Sequence, residues 1–396
     1  MINSLKQINL KAKTILMRVD YNVPIKNGKV LDSFRIKSSI PTIRYCLNQG
    51  ASLVLCSHLG RPNGSYDEKY SLIPVGETLA DLLESQIKFS NSCISEDSHD
   101  VTLGLKPGEV HLLENLRFHK GETENDPEFS SLLAKHGEVF INDAFGTAHR
   151  MHASNVGVLK FFHQKGIGFL IENELKYLKQ AIQDPTKPFV VVLGGAKIKG
   201  KLDLIYHIIP KADSVLIGGG MAFTFLKAKG KGIGKSLVDN SMISDAKKIL
   251  YEARNHSVKL VLPSDVVISE NLDSPKEKLT VSVSNMPDEM GGYDIGNETI
   301  NKFGEIISNA GTILWNGPMG VFEKEDFAGG TRGIAEICAK GKEINQTVIV
   351  GGGDTASAVN QFGLASEMSH VSTGGGASLE LLSGNQLPAI LALEKP

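Results

Sequence analysis

The stretch VIVGGGDTASAV, residues 348–359, indicates the fold class of this chain. Three β-branched residues come first, then three glycines, and then small residues typical of a helix. Similar turns occur in VVLGGAK, VLIGGGMAF and VSTGGGAS, which end at Lys197, Phe223 and Ser378. One such turn is weak evidence. Four in one half of a chain indicate strand ends at which a ligand approaches the backbone closely.

Short runs of Val, Ile and Leu alternate with helical stretches along the whole chain. Examples are TILMRVD, SLVLCSHLG, EVFINDAFG, FVVVLGGAK and KLVLPSDVVI. These runs are nearly continuous, as in strands that are buried on both faces of a parallel sheet. Alternating strands and helices also favour right-handed crossovers. The predicted fold class is α/β, with two doubly wound parallel-sheet (Rossmann-like) domains.

The length of 396 residues is too great for one compact core and predicts two domains. A join is expected near residues 165–190. There IENELKYLKQAIQ predicts a helix over 171–183, and DPTKP ends it. We therefore predict domains at 1–170 and 171–379, joined by this helix as a hinge.

Composition excludes several classes of partner. The net charge of −2 does not provide the basic face that nucleic acid requires. The N-terminal residues do not resemble a signal peptide, and no run approaches 18 apolar residues, so no membrane span is expected. The four cysteines are scattered, which is typical of reduced thiols in a cytoplasmic protein.

Six of the eight arginines precede residue 151. Three of them, Arg61, Arg117 and Arg150, follow the ends of predicted strands. In an open parallel sheet, ligands bind in the crevice outside these ends. Guanidinium groups that converge there suit a small multiply charged anion. The alternative is that each forms an incidental surface ion pair, but three at equivalent strand ends favour an anion site.

Other polar residues lie in the same turns. His58 and His149 suit hydrogen-bond donation to an anion, although His149 and His152 also form an H-x-x-H pair that zinc could use. Asp20 and Asn22 could bind a substrate hydroxyl or shape a turn.

The glycine turns match neither common nucleotide fingerprint. G-x-G-x-x-G is absent from them, and KGKGIGKS departs from the P-loop pattern at Lys229. The segment GGAKIKGK places Lys197 and Lys201 four residues apart. We predict that both lie on one face of the first helical turn, so that both ammonium groups can reach the same phosphates.

A carboxylate and a flat apolar surface complete a possible nucleotide site. Asp354 stands at a helix start, where it could cap the helix or hold Mg²⁺. Trp315, Pro318 and Met319 offer surface for a purine, with Glu323 for ribose hydroxyls. Ordinary loop packing is the alternative for these residues.

Eight stretches of the chain resemble the phosphoglycerate kinase family: RVDYNVP, SHLGRP, ENLRF, INDAFGTAHR, LGGAKIKGK, LWNGPMGVFE, GGGDT and STGGGAS. They occur in the family's order and span nearly the whole chain. The resemblance implies reversible, Mg²⁺-dependent transfer of the acyl phosphate of 1,3-bisphosphoglycerate to ADP, giving 3-phosphoglycerate and ATP in glycolysis. It also implies a cytoplasmic monomer that bends at its hinge and binds small molecules. The tail, residues 380–396, is expected to pack on the first domain.

The resemblance assigns a role to particular residues. Those implied for phosphoglycerate are Asp20, Asn22, Arg35, His58, Leu59, Gly60, Arg61, Arg117 and Arg150. Those implied for the nucleotide ATP or ADP are Lys201, Gly292, Glu323, Gly352, Gly353, Asp354 and Thr355, with Asp354 on Mg²⁺. Those implied around the transferred phosphoryl group are Arg35, Lys197, Gly374 and Gly375.

One departure from the family pattern precedes Lys201, where the family often has Asp and this chain has Gly200. It could loosen the first helical turn but leaves both lysines in place. Two other functions were weighed. An NAD-dependent dehydrogenase would need the missing G-x-G-x-x-G turn, and a non-catalytic anion-binding protein would not need the two lysines with Asp354.

Overall fold

A computed structural model describes residues 2–273 and 277–394. The chain divides into two compact units. The N-terminal unit runs to Leu175 and includes the final stretch from Gln386, and the C-terminal unit runs from Lys176 to Asn385. Among the described residues, no helix is long and apolar enough to cross a membrane.

The elements of the N-terminal unit alternate as its sequence predicts. They are β1 (Thr14–Arg18), β2 (Ile25–Lys26), β3 (Lys29–Val30), α1 (Phe34–Asn48), β4 (Ser52–Cys56), α2 (Ile73–Leu83), β5 (Ile87–Ser90), α3 (Glu96–Leu103), β6 (Val110–Leu113), α4 (Lys120–Glu124), α5 (Pro127–Ala134), β7 (Val139–Asn142) and β8 (Gln164–Ile167). Helix α6 (Phe169–Gln183) then contains the boundary between the units.

The C-terminal unit repeats the alternation. Its elements are β9 (Phe189–Leu193), α7 (Leu202–Ile208), β10 (Ser214–Ile217), α8 (Met221–Ala228), α9 (Ile243–Asn255), β11 (Lys259–Val261), β12 (Asp265–Ser269), β13 (Lys278–Ser282), β14 (Gly291–Ile295), α10 (Asn297–Ser308), β15 (Thr312–Asn316), α11 (Gly329–Lys340), β16 (Thr347–Gly351), α12 (Gly353–Gln361), β17 (His370–Val371) and α13 (Gly376–Leu382). Helix α14 (Pro388–Glu394) belongs to the N-terminal unit.

Each unit is built on a six-stranded parallel sheet. The strand orders are β5-β6-β4-β1-β7-β8 and β11-β10-β9-β15-β16-β17. All residues of β4, β6, β7, β9 and β15 are buried, which explains their continuous apolar runs. The predicted α/β fold class is confirmed. All carboxyl ends of a parallel sheet lie at one edge, so the turns that follow them are brought together.

The sequence did not reveal a small antiparallel sheet in the C-terminal unit, with strand order β13-β12-β14. The run KLVLPSDVVI is not one strand. It divides into β11 and β12, which belong to different sheets. Pro263 lies between them, and its missing N–H interrupts a strand ladder.

Helix α6 starts two residues before the predicted position, at Phe169, because buried side chains accept its first N–H groups. Thr42 Oγ1 accepts from Phe169 N at 3.0 Å, and Asp143 Oδ1 accepts from Leu170 N at 3.0 Å. Burial raises the pKa of Asp143 to about 7. The acceptors come from α1 and from the end of β7, so the helix start depends on tertiary contacts.

A chain of hydrogen bonds joins two buried histidines beside β6. Thr102 Oγ1 lies 3.1 Å from His111 Nδ1 and 2.7 Å from His136 Nδ1. His136 Nε2 lies 3.1 Å from the carbonyl oxygen of Cys93. A carbonyl can only accept, so Nε2 of His136 carries the proton. Burial lowers the pKa of His111 to about 4 and that of His136 to about 3.

We expect acid to destabilise the protein through these histidines. Their folded pKa values lie below the unfolded value of about 6.5. Their contribution to the free energy of unfolding is therefore complete above pH 6.5 and is lost as pH falls toward 4. Each group contributes a slope of at most about 1.4 kcal/mol per pH unit. His136→Gln keeps a donor and an acceptor but cannot titrate. Denaturant unfolding at several pH values should show a shallower pH dependence for this variant.

The exposed His163 provides the control, because His163→Gln should leave the pH dependence unchanged. Other groups, such as Asp143, change the pH dependence of stability in the opposite direction. Their effect is the same in the wild type and in both variants, so it cancels in the comparison. Equal slopes for the wild type and His136→Gln would contradict this assignment.

Candidate active site

The three arginines at the strand ends meet in the N-terminal unit. Arg61, Arg117 and Arg150 line one cavity of about 180 Å³, together with Asn63, Gly64, Thr123 and His152. They follow β4, β6 and β7, which lie in the same sheet as β1. The cavity therefore collects three guanidinium groups, as the sequence predicts for an anion site.

Arg117 has a donor that the protein leaves unused. Its Nη1 donates to the carbonyl oxygen of Gly60 at 2.6 Å, whereas its buried Nε has no partner among the described residues. Burial, and then Arg150 and Arg18, lower the pKa of Arg117 to about 10. A buried donor without an acceptor is unfavourable, and an anion would relieve both the excess charge and the missing bond.

Asp20 and Asn22 shape this site from the turn after β1. Asp20 Oδ2 lies 2.5 Å from Arg35 Nη1, and Asn22 Oδ1 accepts from Gly60 N at 2.9 Å. Gly60 has a φ of +60°, and a Cβ there would collide with the ring of Tyr70. Asn22 therefore bonds to the loop that carries Arg61 and helps to orient it. In the local turn the accepting side chain is that of Asp20, whose Oδ1 accepts from Asn22 N at 3.4 Å.

His58 is buried at the end of β4, with 3% of its surface exposed. Burial, then Arg18 and Arg117, keep its pKa well below 6.5. The ring is therefore neutral at physiological pH. His149 Nε2 accepts from Arg150 Nε at 3.3 Å, and His152 Nδ1 lies 3.6 Å from Glu122 Oε1. No group of three His, Cys, Asp or Glu residues within the described chain could hold a metal.

Asn115 organises the arginine site, and the sequence analysis did not single it out. Its Nδ2 donates to the carbonyls of Leu59, at 2.8 Å, and Tyr70, at 2.9 Å. Its Oδ1 accepts from Leu59 N at 3.2 Å and Arg117 N at 3.0 Å. Its position in ENLRF, just beyond the end of β6, is the sequence feature that could have indicated this role.

The glycine turns of the C-terminal unit follow β9, β10, β15 and β16 at one edge of the sheet. The glycines there have two different functions. A Cβ on Gly194, Gly219 or Gly317 would collide with the backbone of a neighbouring turn. By contrast, a Cβ on Gly353 or Gly375 would meet nothing within 4 Å. The first set permits close packing of the turns, and the second has open space beside its backbone.

The prediction that Lys197 and Lys201 share a face of a helical turn is wrong. Lys197 lies in the loop before the helix and is exposed, without a hydrogen bond to any described residue. Lys201 Nζ instead donates to the carbonyls of Gly194, at 2.5 Å, and Asn316, at 2.9 Å. Strand-end carbonyls attract the ammonium group inward, and desolvation lowers its pKa to about 8. Gly200 has open space where a Cβ would lie.

Asn316 is a second buried donor without a described partner. It ends β15, is 2% exposed, and its Nδ2 makes no hydrogen bond in the part of the chain described. A Cβ on Gly352 would lie only 3.0 Å from it, so the amide faces the GGGDT turn. Thr355 Oγ1 accepts from Gly317 N at 2.6 Å and holds the neighbouring turn in place.

Asp354 and Glu323 both have exposed carboxylates. Asp354 lies in the first turn of α12, where the cap residue is Gly352 and no side chain caps the helix. The capping role considered for Asp354 is therefore not observed. Gly374 N donates to Ser372 Oγ at 3.0 Å, and Gly375 precedes α13 with a φ of +49°. Gly292 lies inside β14, and its N donates to Ser236 Oγ at 2.9 Å.

The prediction that Trp315, Pro318 and Met319 offer surface for a purine is also wrong, because all three are buried. Trp315 belongs to β15, is 0% exposed and donates from Nε1 to the carbonyl of Gly317, and Met319 is equally buried. Ordinary packing accounts for them. One exposed apolar group near these turns is Leu237, which is 49% exposed and lies beside Gly220, where a Cβ would be 3.2 Å from its Cδ2.

The fold and these groups define a class of protein: a two-domain α/β enzyme that acts on phosphorylated substrates. Comparison with known proteins gives a result consistent with this class. The family model for phosphoglycerate kinase matches residues 5–385. The chain is 49% identical over 391 residues to a phosphoglycerate kinase of Pelodictyon phaeoclathratiforme, covering 98% of both chains.

Solved structures give the same result. The structure is similar to that of phosphoglycerate kinase from Coxiella burnetii, with a TM-score of 0.87, 39% identity and 99% of each chain covered. It is also similar to the enzyme from Pyrococcus horikoshii, with a TM-score of 0.88, 32% identity, and coverage of 100% of this chain and 98% of that one. The chain belongs to the phosphoglycerate kinase family. It is a glycolytic kinase that transfers phosphate to a carboxyl acceptor.

Proposed function

We propose that the N-terminal unit binds 3-phosphoglycerate or 1,3-bisphosphoglycerate, and that the C-terminal unit binds ADP or ATP. The observation that carries the first half is the buried, unpartnered Nε of Arg117 in a cavity shared with Arg61 and Arg150. Family membership supports the same assignment.

The nucleotide half of the proposal rests on the open glycines and on Asn316. Exposed backbone at Gly353, the first residue of α12, suits phosphate oxygens, because helix N-termini carry unpaired N–H groups and partial positive charge. Asn316 Nδ2 is a further donor beside this turn. The half-exposed Leu237 provides apolar surface for a base.

The reaction requires no general base. An oxygen of the β-phosphate of ADP attacks the phosphorus of the acyl phosphate, the bond to the acyl oxygen breaks, and a carboxylate leaves. In the opposite direction the nucleophile is that carboxylate, which is ionised at pH 7 because the reference pKa is about 4. Catalysis therefore consists of positioning and charge neutralisation, for which we propose Arg35 and Lys197 together with the turn formed by Gly374 and Gly375.

Asp354 fits a site for Mg²⁺. It is an exposed carboxylate without a hydrogen bond or ion pair to a described residue, beside backbone suited to phosphates. Mg²⁺ is commonly held by one or two carboxylates together with substrate phosphates and water, so a cluster of protein ligands is not needed. When bound, the ion would neutralise phosphate charge.

Asp354→Asn should therefore reduce the advantage of Mg·ADP over metal-free ADP in binding by roughly tenfold or more, the loss expected when a metal contact is removed. Calorimetry with and without Mg²⁺ measures this advantage independently of catalysis. Asp203→Asn, another exposed aspartate at a helix start, should leave it unchanged. An undiminished advantage in Asp354→Asn would exclude Asp354 as the metal ligand.

The proposal requires a movement that brings the two bound substrates together. In-line transfer needs reacting atoms about 3 to 3.5 Å apart, and each substrate is assigned to a separate unit. We expect X-ray scattering to show a smaller radius of gyration with both ligands than with either alone, because only both together complete the contacts. An unchanged radius in an active ternary complex would remove the hinge from the mechanism.

The function is tested by measuring ATP formation from 1,3-bisphosphoglycerate and ADP, with each component omitted in turn. We expect ATP only when substrate, ADP and Mg²⁺ are all present, and we expect a cytoplasmic enzyme that is active as a monomer. Release of inorganic phosphate without formation of ATP, or reduction of NAD, would contradict the proposal.

A further inference from the structure

Arg18, the last residue of β1, is completely buried. Its guanidinium group makes no ion pair within the described residues, and burying such a charge is costly. Its donors instead go to three neutral groups: Nε to Ser154 Oγ at 2.8 Å, Nη1 to the carbonyl of Val19, and Nη2 to Nδ1 of His58 at 3.2 Å. The carboxylate of Glu122, which Arg18 stabilises electrostatically, lies beyond Ser154, so the direct contacts of Arg18 orient neutral groups rather than pair charges.

The contact with His58 determines which ring nitrogen carries the proton. A guanidinium group has five donors and no acceptor, so His58 Nδ1 must accept. The ring is neutral, because burial and then Arg18 keep its pKa well below 6.5. A neutral imidazole that accepts at Nδ1 carries its proton on Nε2. That nitrogen has no hydrogen-bond partner among the described residues, so it can donate to a ligand.

We infer that Arg18 is a positioning residue that fixes His58 in the form that donates from Nε2 toward the anion in the arginine site. The inference rests on the proposed binding of phosphoglycerate in that site. His58 does not itself line the cavity, but it precedes Arg61 by three residues and lies close enough to Arg117 and Arg150 for both to lower its pKa. His58 would then add an uncharged donor to the guanidinium groups of these three arginines.

Without Arg18, the competing form of His58 has an acceptor ready. Asp20 Oδ1 lies 3.8 Å from His58 Nδ1, near enough to attract a proton to that nitrogen. Nε2 would then become an acceptor and repel the oxygen of an anion. Arg18 thus decides whether His58 favours or opposes anion binding.

A second pair of buried residues holds Arg18 in place. Ser154 Oγ accepts from Arg18 Nε and donates to Glu122 Oε1 at 2.7 Å, and Ser154 N donates to Glu122 Oε2 at 2.9 Å. Although burial alone would raise it, the pKa of Glu122 lies below its ordinary value because of His152, Arg18 and Ser154. The ionised carboxylate therefore directs the Ser154 proton away from Arg18.

Nitrogen NMR of the ring of His58 in the wild type tests the inference without any change to the chain. Between pH 6 and 8 we expect a neutral ring with the proton on Nε2. A proton on Nδ1, or a doubly protonated ring, would overturn the inference. Wild-type protein with the expected ring form but no affinity for 3-phosphoglycerate would instead overturn the proposed function.

Arg18→Met removes the donors and keeps much of the apolar stem. We expect it to shift the His58 proton to Nδ1 and to weaken 3-phosphoglycerate binding roughly 10- to 100-fold, the value of a hydrogen bond to a charged group, with ADP binding unchanged. Arg44→Met, on the surface of α1, should change neither. Ser154→Ala is a smaller change that should also shift the His58 proton toward Nδ1. It provides the test if Arg18→Met does not fold.

A double-mutant comparison separates positioning from a direct contact. If Arg18 acts through His58, Arg18→Met in a His58→Ala background should alter 3-phosphoglycerate affinity by no more than roughly twofold. A full additional loss in that background would show that Arg18 acts on the anion itself, and would overturn the inference.

Discussion

Lys197→Ala is expected to lower kcat by roughly 10³-fold or more, with far smaller changes in either KM. The reason is the proposed place of its charge, beside the phosphoryl group that is transferred. Lys197 is exposed and makes no hydrogen bond to a described residue, whereas Lys201 is held by two carbonyls. A free ammonium group can follow the charge that develops as the phosphoryl group moves, so its loss should affect the transition state most. Steady-state kinetics in both directions provide the measurement.

Lys199→Ala is the matched control, because Lys199 is an exposed lysine two residues further along the same segment. We expect its kcat to remain close to that of the wild type. If Lys197→Ala retains kcat within tenfold of the wild type, Lys197 does not act on the transferred group.

Arg117→Lys should weaken 3-phosphoglycerate binding roughly 10- to 100-fold and leave ADP affinity unchanged. Arg117 holds Gly60 through Nη1 and still has its buried Nε to offer. The ammonium group of lysine is a point charge without the planar geometry of a guanidinium group. It therefore cannot bond to Gly60 and bind the anion with fixed geometry at the same time. Calorimetry with each ligand alone measures the two affinities.

Arg44→Lys, at an exposed arginine of the same unit, is the control and should bind both ligands normally. Equal losses of ADP and 3-phosphoglycerate affinity in Arg117→Lys would contradict the assignment of one substrate to each unit.

The convergence of the three arginines could be predicted from the sequence, because it depends only on the topology of the sheet. Arg61, Arg117 and Arg150 each follow a strand, and parallel strands place such positions at one edge of a sheet. The same logic located the glycine turns. What it did not distinguish was glycine needed for packing, as at Gly317, from glycine with open space beside it, as at Gly353.

Side chains whose positions depend on tertiary contacts were not predictable. Lys201 turns inward to the carbonyl of Asn316, on a strand 115 residues further along the chain, and Trp315 belongs to its strand and to the core. Asn115 and Arg18 act through hydrogen bonds to loops far along the chain. The antiparallel sheet was missed because Pro263 divides an apolar run that otherwise indicates one strand.

The central claim is that each unit binds its own substrate, and amide NMR of the labelled wild type tests it most directly. Adding 3-phosphoglycerate alone should shift the amides of Asn22, Gly60 and Arg117. Adding Mg·ADP alone should shift those of Gly353 and Asp354. Shifts by 3-phosphoglycerate at the glycine turns, or by Mg·ADP at the arginine cavity, with no response in the assigned unit, would contradict the account.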